Sequence, residues 1–162
     1  MSQIVNHSLS LSVCICTYNR DVMLNEMLAS LAMNKFQKDD EVIVIDNNSD
    51  DRTKVTAETF RHKLPLRYFL EKKQGLSNAR NRALREARAN HLLFLDDDLI
   101  VEDSAIDVAR AAILDYPKYD FFGGRIDVLW PGETPSWWLA GDFPLLNGLL
   151  GKYQPDSIEF EY

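Results

Sequence analysis

The stretch His91–Ile100 reads HLLFLDDDLI. A short apolar run ends in three consecutive aspartates, and apolar residues then resume. An apolar run of this length, bounded by polar residues, suits a strand that enters a core and stops at its edge. Three adjacent carboxylates repel one another, and each favours water. If extended geometry persists, Asp96 and Asp98 point to one side and Asp97 to the other. Two like charges so close raise each other's pKa, and a divalent cation removes that cost. Mg²⁺ takes one or two protein carboxylates and completes its octahedron with phosphate oxygens and water. The competing reading is a solvated acidic turn that caps the next helix. Placement at the end of a buried strand favours the cation.

The same organisation recurs along the chain. LSLSVCIC, EVIVID (41–46) and LRYFL (66–70) read as further strands. Between them, Leu24, Met27, Leu28 and Leu31 share one helical face, with Asn19 as the predicted N-cap. A short helix is predicted through Phe60. KKQGLSNARNRALREAR is a loop leading into a helix, with Ser77 as its predicted cap. Asp103 or Ser104 opens a helix whose inner face holds Ile106, Ala109 and Ile113. YDFFGGRI (119–126) is the predicted fifth strand. Strands alternating with helices predict an α/β fold, a mostly parallel sheet with helices on both faces. Such sheets bind ligands at the carboxyl ends of their strands. TYNR, DNNSDD, KKQGLSNAR and DDD all fall at those ends.

Bulk properties narrow the function. With 162 residues and 46% hydrophobic content the chain can build one domain core. A formal charge of −7 argues against nucleic acid as a partner. Cys14 and Cys16 lie two apart on one strand face, poorly placed to bridge each other, and read as buried thiols in a reducing, cytoplasmic compartment. The polar start MSQIVNHSLS does not read as a signal peptide, and no apolar run reaches the ~20 residues of a membrane helix. His7, His62 and His91 form no metal-spaced pair. No GxGxxG, P-loop or GxSxG pattern occurs, so a covalent serine or cysteine mechanism has no support.

Two further groups stand out. Asp46 marks where the second strand emerges. It either accepts a bond from a ribose hydroxyl or base N–H, or closes an Asx-turn with Asn47, Asn48 and Ser49. The residues leave these two readings even. Gly75 and Ser77 lead into a helix whose N-terminus attracts anions. Arg80 and Arg82 there oppose the helix dipole, which an anionic ligand or a nearby aspartate would offset.

LSVCICTYNR, EVIVIDNNSDD, KKQGLSNARNRAL and HLLFLDDDL, in this order and spacing, resemble the family 2 glycosyltransferases of the GT-A fold. The resemblance covers about residues 9–125, with 126–162 as the start of an acceptor-side region. It implies transfer of a sugar from a nucleotide-diphosphate donor, UDP-sugars favoured, to a saccharide or lipid-linked acceptor, with inversion. It implies Mn²⁺ or Mg²⁺ as cofactor. Thr17, Tyr18, Asn19 and Arg20 would line the nucleotide pocket, and Asp46 would bind the base. Arg80 would contact the nucleotide, and Asn48 and Asp97 would belong to the same site. Asp96 would hold the ribose or assist the metal, and Asp98 would be the principal metal ligand.

The chain departs from the family downstream. The family's general base lies in an ED-like motif well beyond the aspartates. Glu102–Asp103 is too close to them, and no later acid is assignable. The expectation is therefore a donor-binding half, or a non-catalytic nucleotide-sugar-binding module. Trp130, Trp137, Trp138, Leu139, Phe143, Leu145, Leu146, Leu149 and Leu150 form an apolar stretch with almost no Lys or Arg. Packing on the protein is favoured over contact with a membrane surface or lipid-linked acceptor, and self-association through 130–150 is a further expectation. Phosphotransferases with a DxDx(T/V) nucleophile want Thr or Val where Ile100 stands, and they leave TYNR and DNNSDD unexplained.

Overall fold

The core is built from four short strands that differ in how much of each is covered. Glu41–Asp46 (β2) is buried at every position, as its unbroken apolar run requires of a central strand. Leu11–Thr17 (β1) is buried at all but Cys16. His91–Asp96 (β4) alternates between half-buried and exposed residues, so only one of its faces is covered. Leu66–Leu70 (β3) is buried only at its start. The computed structural model describes residues 9–130 together with 132, 133 and 136.

The strands form one sheet in the order β3-β2-β1-β4, and every pairing is parallel. Thr17 lies opposite Asp46, Asp46 opposite Leu70, and Cys16 opposite Asp96. The strands therefore end almost level, and the loops that follow them emerge along one rim.

Helices Asp21–Leu31 (α1), Thr53–Thr59 (α2) and Leu76–Glu86 (α3) make the crossovers, and Ala105–Asp115 (α4) follows β4. Leu24, Met27, Leu28 and Leu31 of α1 pack with Leu11, Val13, Ile15, Val42 and Val44 on one face, joined by Ala57 and Ile106. Each fully buried leucine stabilises this layer by roughly 1.5–3 kcal/mol. The other face holds Cys14, Ile43 and Ile45 beneath Ala79 and Ala83 of α3. Small residues there let α3 lie close to the sheet.

Ion pairs anchor the opposite, amino end of the sheet. The Asp40 carboxylate is fully buried, accepts from the Leu11 and Gln37 N–H groups at 2.9 and 2.6 Å, and pairs with Arg110 at 2.7 Å. Arg110 also donates to the Leu9 carbonyl. This explains a charged residue on the inner face of α4. Glu41 accepts from Ser12 and Arg67 at 2.7 and 2.6 Å and from the Arg88 N–H at 2.6 Å. Burial alone would lift its carboxyl, but those bonds outweigh it and hold the pKa below the ordinary value.

Three local expectations are corrected. Asn19 is not the cap of α1: Arg20 occupies that position with no side-chain cap bond, and Asn19 has left-handed backbone, φ 52°. Gly75, not Ser77, stands at the N-cap of α3. Residues 119–126 are not a strand, and only Ile126 makes a single bridge. Gly123–Gly124 interrupts the run, and Phe121 is almost fully exposed. The described residues divide into two units, one ending at Asp115 and one beginning at Tyr116. His7 and the apolar tail from Trp137 to Leu150 lie outside the described residues.

Asp40→Ala would leave the Arg110 guanidinium buried without its partner. The expected loss, read by chemical denaturation, is about 3–5 kcal/mol. Val22→Ala on the exposed face of α1 should stay within about 0.5 kcal/mol.

Candidate nucleotide-sugar site

The loops after β1, β2, β3 and β4 clasp one another through side chains. The Asn19 N–H donates to Ser49 Oγ at 2.9 Å, and Asn19 Oδ1 accepts from the Asp50 N–H at 2.9 Å. The Asp21 N–H donates to Asp51 Oδ2 at 3.0 Å. Asn47 is the central tie. Its N–H donates to the Thr17 carbonyl at 2.8 Å. Its Nδ2 donates to the carbonyls of Glu71 and Lys73 at 3.1 and 2.9 Å, and its Oδ1 accepts from the Gly75 N–H at 2.7 Å. Gly75 has φ 121°, a conformation that side chains rarely adopt, so the loop can turn into α3 there.

A cavity of about 470 Å³ opens among these loops. Cys16 and Thr17 line it from the end of β1, Tyr18 and Arg20 from the loop after it, and Asn47 from the second loop. Gln74 and Gly75 line it from the third loop, Leu76 and Ala79 from α3, Asp96 from the end of β4, and Asp97 and Asp98 from the turn after it. Gly75 and Leu76 bring the N-terminus of α3 to the cavity, a favourable end for an anion. Thr17 is 3% exposed, and its Oγ1 has no hydrogen-bond partner among the described residues. Buried hydroxyls are normally satisfied, so an orphan beside a cavity suits a bound polar group.

The aspartates are arranged differently from the extended-strand expectation. β4 ends at Asp96, and Asp97 and Asp98 form a turn. Arg20 Nη1 donates to Asp97 Oδ1 at 2.9 Å and to Asp98 Oδ2 at 3.1 Å, which groups Asp97 with Asp98. Asp96 instead faces Arg80 Nη2 at 3.8 Å. Asp97 is buried, while Asp96 and Asp98 are open to solvent. The bond that Arg20 donates to Asp97, with the charge of that carboxylate, raises the Arg20 pKa above its ordinary value.

Asp46 is 2% exposed, and its oxygens are already engaged. Oδ2 accepts from Tyr68 Oη at 2.5 Å, and Oδ1 accepts from the Ser49 N–H at 2.8 Å. Burial, then the hydrogen bond and charge of Asp46, push the Tyr68 phenol well above its usual pKa. Asn48 is exposed with left-handed backbone, φ 69°. Sequence reasoning missed Asn47 and Gln74 as cavity residues. Asn47 follows Asp46 directly at the strand end, and that adjacency was the available signal.

The donor set fits a hard divalent cation. Among the described residues no three His, Cys, Asp or Glu side chains form a ready-made metal cage. Asp98 and Asp96 offer exposed carboxylate oxygens beside the cavity. A cation that draws its remaining ligands from phosphate and water needs no more protein oxygens than these.

The architecture defines an α/β domain of the class that binds ligands at the carboxyl ends of a parallel sheet. The pattern of Glycosyl transferase family 2 matches residues 12–157, and the chain belongs to that family. It is 35% identical over 103 residues to the cholesterol galactosyltransferase of Borreliella burgdorferi, covering 63% of this chain and 28% of that protein. It resembles the crystal structure of Staphylococcus aureus TarS in complex with UDP-GlcNAc, with 33% identity and TM-score 0.61, covering 67% of this chain and 32% of that one. It also resembles the mannosyltransferase PcManGT of Pyrobaculum calidifontis in complex with GDP-Man and Mn²⁺, with 25% identity and TM-score 0.57, covering 63% of this chain and 32% of that one. The chain thus spans less than a third of the length of each. These neighbours confirm the GT-A fold. Among the described residues no helix is long and apolar enough to cross a membrane.

Cys16 provides a check on the cavity. Burial, partly opposed by Arg80, pushes its thiol up to about 11. A neutral thiol reacts poorly with electrophiles. In a Cys14→Ala chain, iodoacetamide should label Cys16 slowly at pH 8, with the rate rising steeply above pH 10. Fast labelling at pH 8 would show an open, ionised thiol.

Proposed function

We propose that this chain forms the donor-binding part of a glycosyltransferase that takes a nucleotide-diphosphate sugar, with UDP-sugars favoured and Mn²⁺ or Mg²⁺ as cofactor. The reaction is transfer to an acceptor hydroxyl with inversion. The observation that carries this reading is the meeting of Thr17, Arg20 and the three aspartates on one cavity at the N-terminus of α3.

The residues divide the work. Thr17 and Tyr18, which line the cavity, contact the nucleoside, and Asn47 holds the third loop against them. Gly75 and Leu76 bring the helix N-terminus, and Arg20 a positive charge, to the diphosphate. Asp98 is the principal ligand for the cation, and Asp96 either shares it or accepts from a ribose hydroxyl. The cation supplies Lewis acidity toward the leaving diphosphate. Asp46 shapes the site at one remove, because Tyr68 and the Ser49 N–H hold its oxygens. Arg80 balances the charge of Asp96 from just outside the residues that line the cavity.

Displacement at the anomeric carbon needs no protein nucleophile, but the acceptor proton needs a base. Glu102 and Asp103 line a separate cavity with Lys35 and Asp107. That position supports a base from outside the segment that immediately follows the aspartates. A saccharide or lipid-linked acceptor remains the proposed second substrate.

Calorimetry with UDP, with and without MnCl₂, tests the reading. The expected result is metal-dependent binding that weakens at least about tenfold in Asp98→Ala, a loss of roughly 1.4 kcal/mol. Unchanged affinity and metal dependence in that variant would contradict the assignment. Titration with UDP-, GDP- and dTDP-sugars then ranks the donors, and donor hydrolysis reports turnover.

A further inference from the structure

Arg20 stands in an unusual position for a nucleotide-pocket arginine, because its charge is already spent on the aspartates. A single nitrogen, Nη1, bridges Asp97 Oδ1 at 2.9 Å and Asp98 Oδ2 at 3.1 Å. A small cation held by Asp98 would occupy nearly the same space, since its oxygen ligands lie about 2.1 Å away. A divalent ion that takes Asp98 Oδ2 competes with the guanidinium for that oxygen, and one that takes the second oxygen of the carboxylate meets a like charge close by.

The two halves of the bridge differ. The Asp98 side chain is 47% exposed and that of Arg20 is 49% exposed, so water screens their pairing and it exchanges readily. The Asp97 side chain is only 6% exposed, and its bond to Arg20 is the better protected one. Asp97 thus tethers Arg20 at the cavity even when Asp98 is taken. Released from Asp98, the guanidinium keeps unpaired N–H donors in the cavity where the diphosphate is placed, and a planar fork of donors matches phosphate oxygens.

We propose that Arg20 is the resident counter-cation of Asp98, that a divalent metal displaces it from that carboxylate, and that the freed guanidinium turns to the diphosphate. The inference rests on the metal–nucleotide reading given above and adds an order to it. Arg20 opposes the metal when the site holds no nucleotide, and supports the nucleotide once the metal is in place. It also gives Asp97 a role, as the anchor that keeps Arg20 local.

Two affinities measured on the whole chain test this, with no turnover required. The first is Mn²⁺ binding without nucleotide, read as loss of the free-ion paramagnetic resonance signal. The second is UDP binding at saturating Mn²⁺, read by calorimetry. In Arg20→Met the expected Mn²⁺ affinity rises about two- to fivefold, on the scale of a lost exposed ion pair. In the same variant UDP affinity falls about tenfold, on the scale of a lost charge-assisted bond. These opposite shifts are not what general loosening of the loop would give, since loosening weakens both. Arg20→Lys keeps a cation without the fork and should hold Mn²⁺ affinity near that of the natural chain while still weakening UDP. If Arg20→Met does not fold by circular dichroism, Arg20→Gln, which also removes the charge, takes its place in both measurements with the same expected and overturning results. Mn²⁺ affinity that is unchanged or lower in Arg20→Met would overturn the displacement. UDP affinity unchanged in both variants would overturn the turn to diphosphate. Mn²⁺ binding to neither the natural chain nor the variants would overturn this inference together with the metal reading beneath it.

Discussion

The Asn47 side chain is the tie on which the rim depends. It is 6% exposed, and all three of its side-chain bonds go to the backbone of residues 71–75. Its own N–H continues the β1–β2 ladder to Thr17. One residue therefore fixes the end of β1, the end of β2 and the loop that begins α3. Only an amide meets this demand, because two carbonyls require donors and one N–H requires an acceptor. A carboxylate would set negative oxygens against the Glu71 and Lys73 carbonyls. Buried polar groups left in that state cost about 1–3 kcal/mol each, and here the cost would fall on the segment that brings Gly75 and the start of α3 to the cavity.

The charge pattern of the rim follows from where the strands stop. β4 delivers Asp96 one register step behind Thr17 and Asp46, and the turn after it carries Asp97 and Asp98 over the end of β1. The first loop answers with Arg20 and helix α3 with Arg80. Three negative charges thus face two positive ones across an open cavity. The remaining negative charge suits a cation, and the positive groups and helix end suit an anion. A metal–diphosphate pair satisfies both demands at once. The second loop contributes shape more than charge, since the Asp46 carboxylate is consumed by Tyr68 and its own turn.

The parts of this arrangement that depend on local pattern were legible in the sequence. Period-3.6 leucines marked α1, and the unbroken run EVIVID marked a strand covered on both faces. Alternation of the two elements was enough for a parallel sheet and its ligand-binding rim. Distant partners decided the rest. Asn19 has the chemistry of a helix cap but bonds to Ser49 and Asp50, thirty residues away in sequence. Ser77 has a capping side chain, yet the positive φ that the turn needs belongs to Gly75. Asp96 and Asp98 would have shared a side in an extended strand, but the turn at Asp97 groups the last two aspartates under Arg20. Arg110, a charge among apolar neighbours in α4, made sense only once Asp40 was found buried beside it.

Backbone amide chemical shifts of the isotopically labelled chain, titrated with UDP in the presence of Mg²⁺, test the central claim most directly. The claim is that the four strand-end loops form one nucleotide site. The expected result is a single saturable transition whose largest shifts fall on Thr17–Arg20, Asn47, Gln74–Leu76 and Asp96–Asp98 together. Shifts confined to one of these loops, or concentrated at the amino end of the sheet around Asp40 and Glu41, would contradict it.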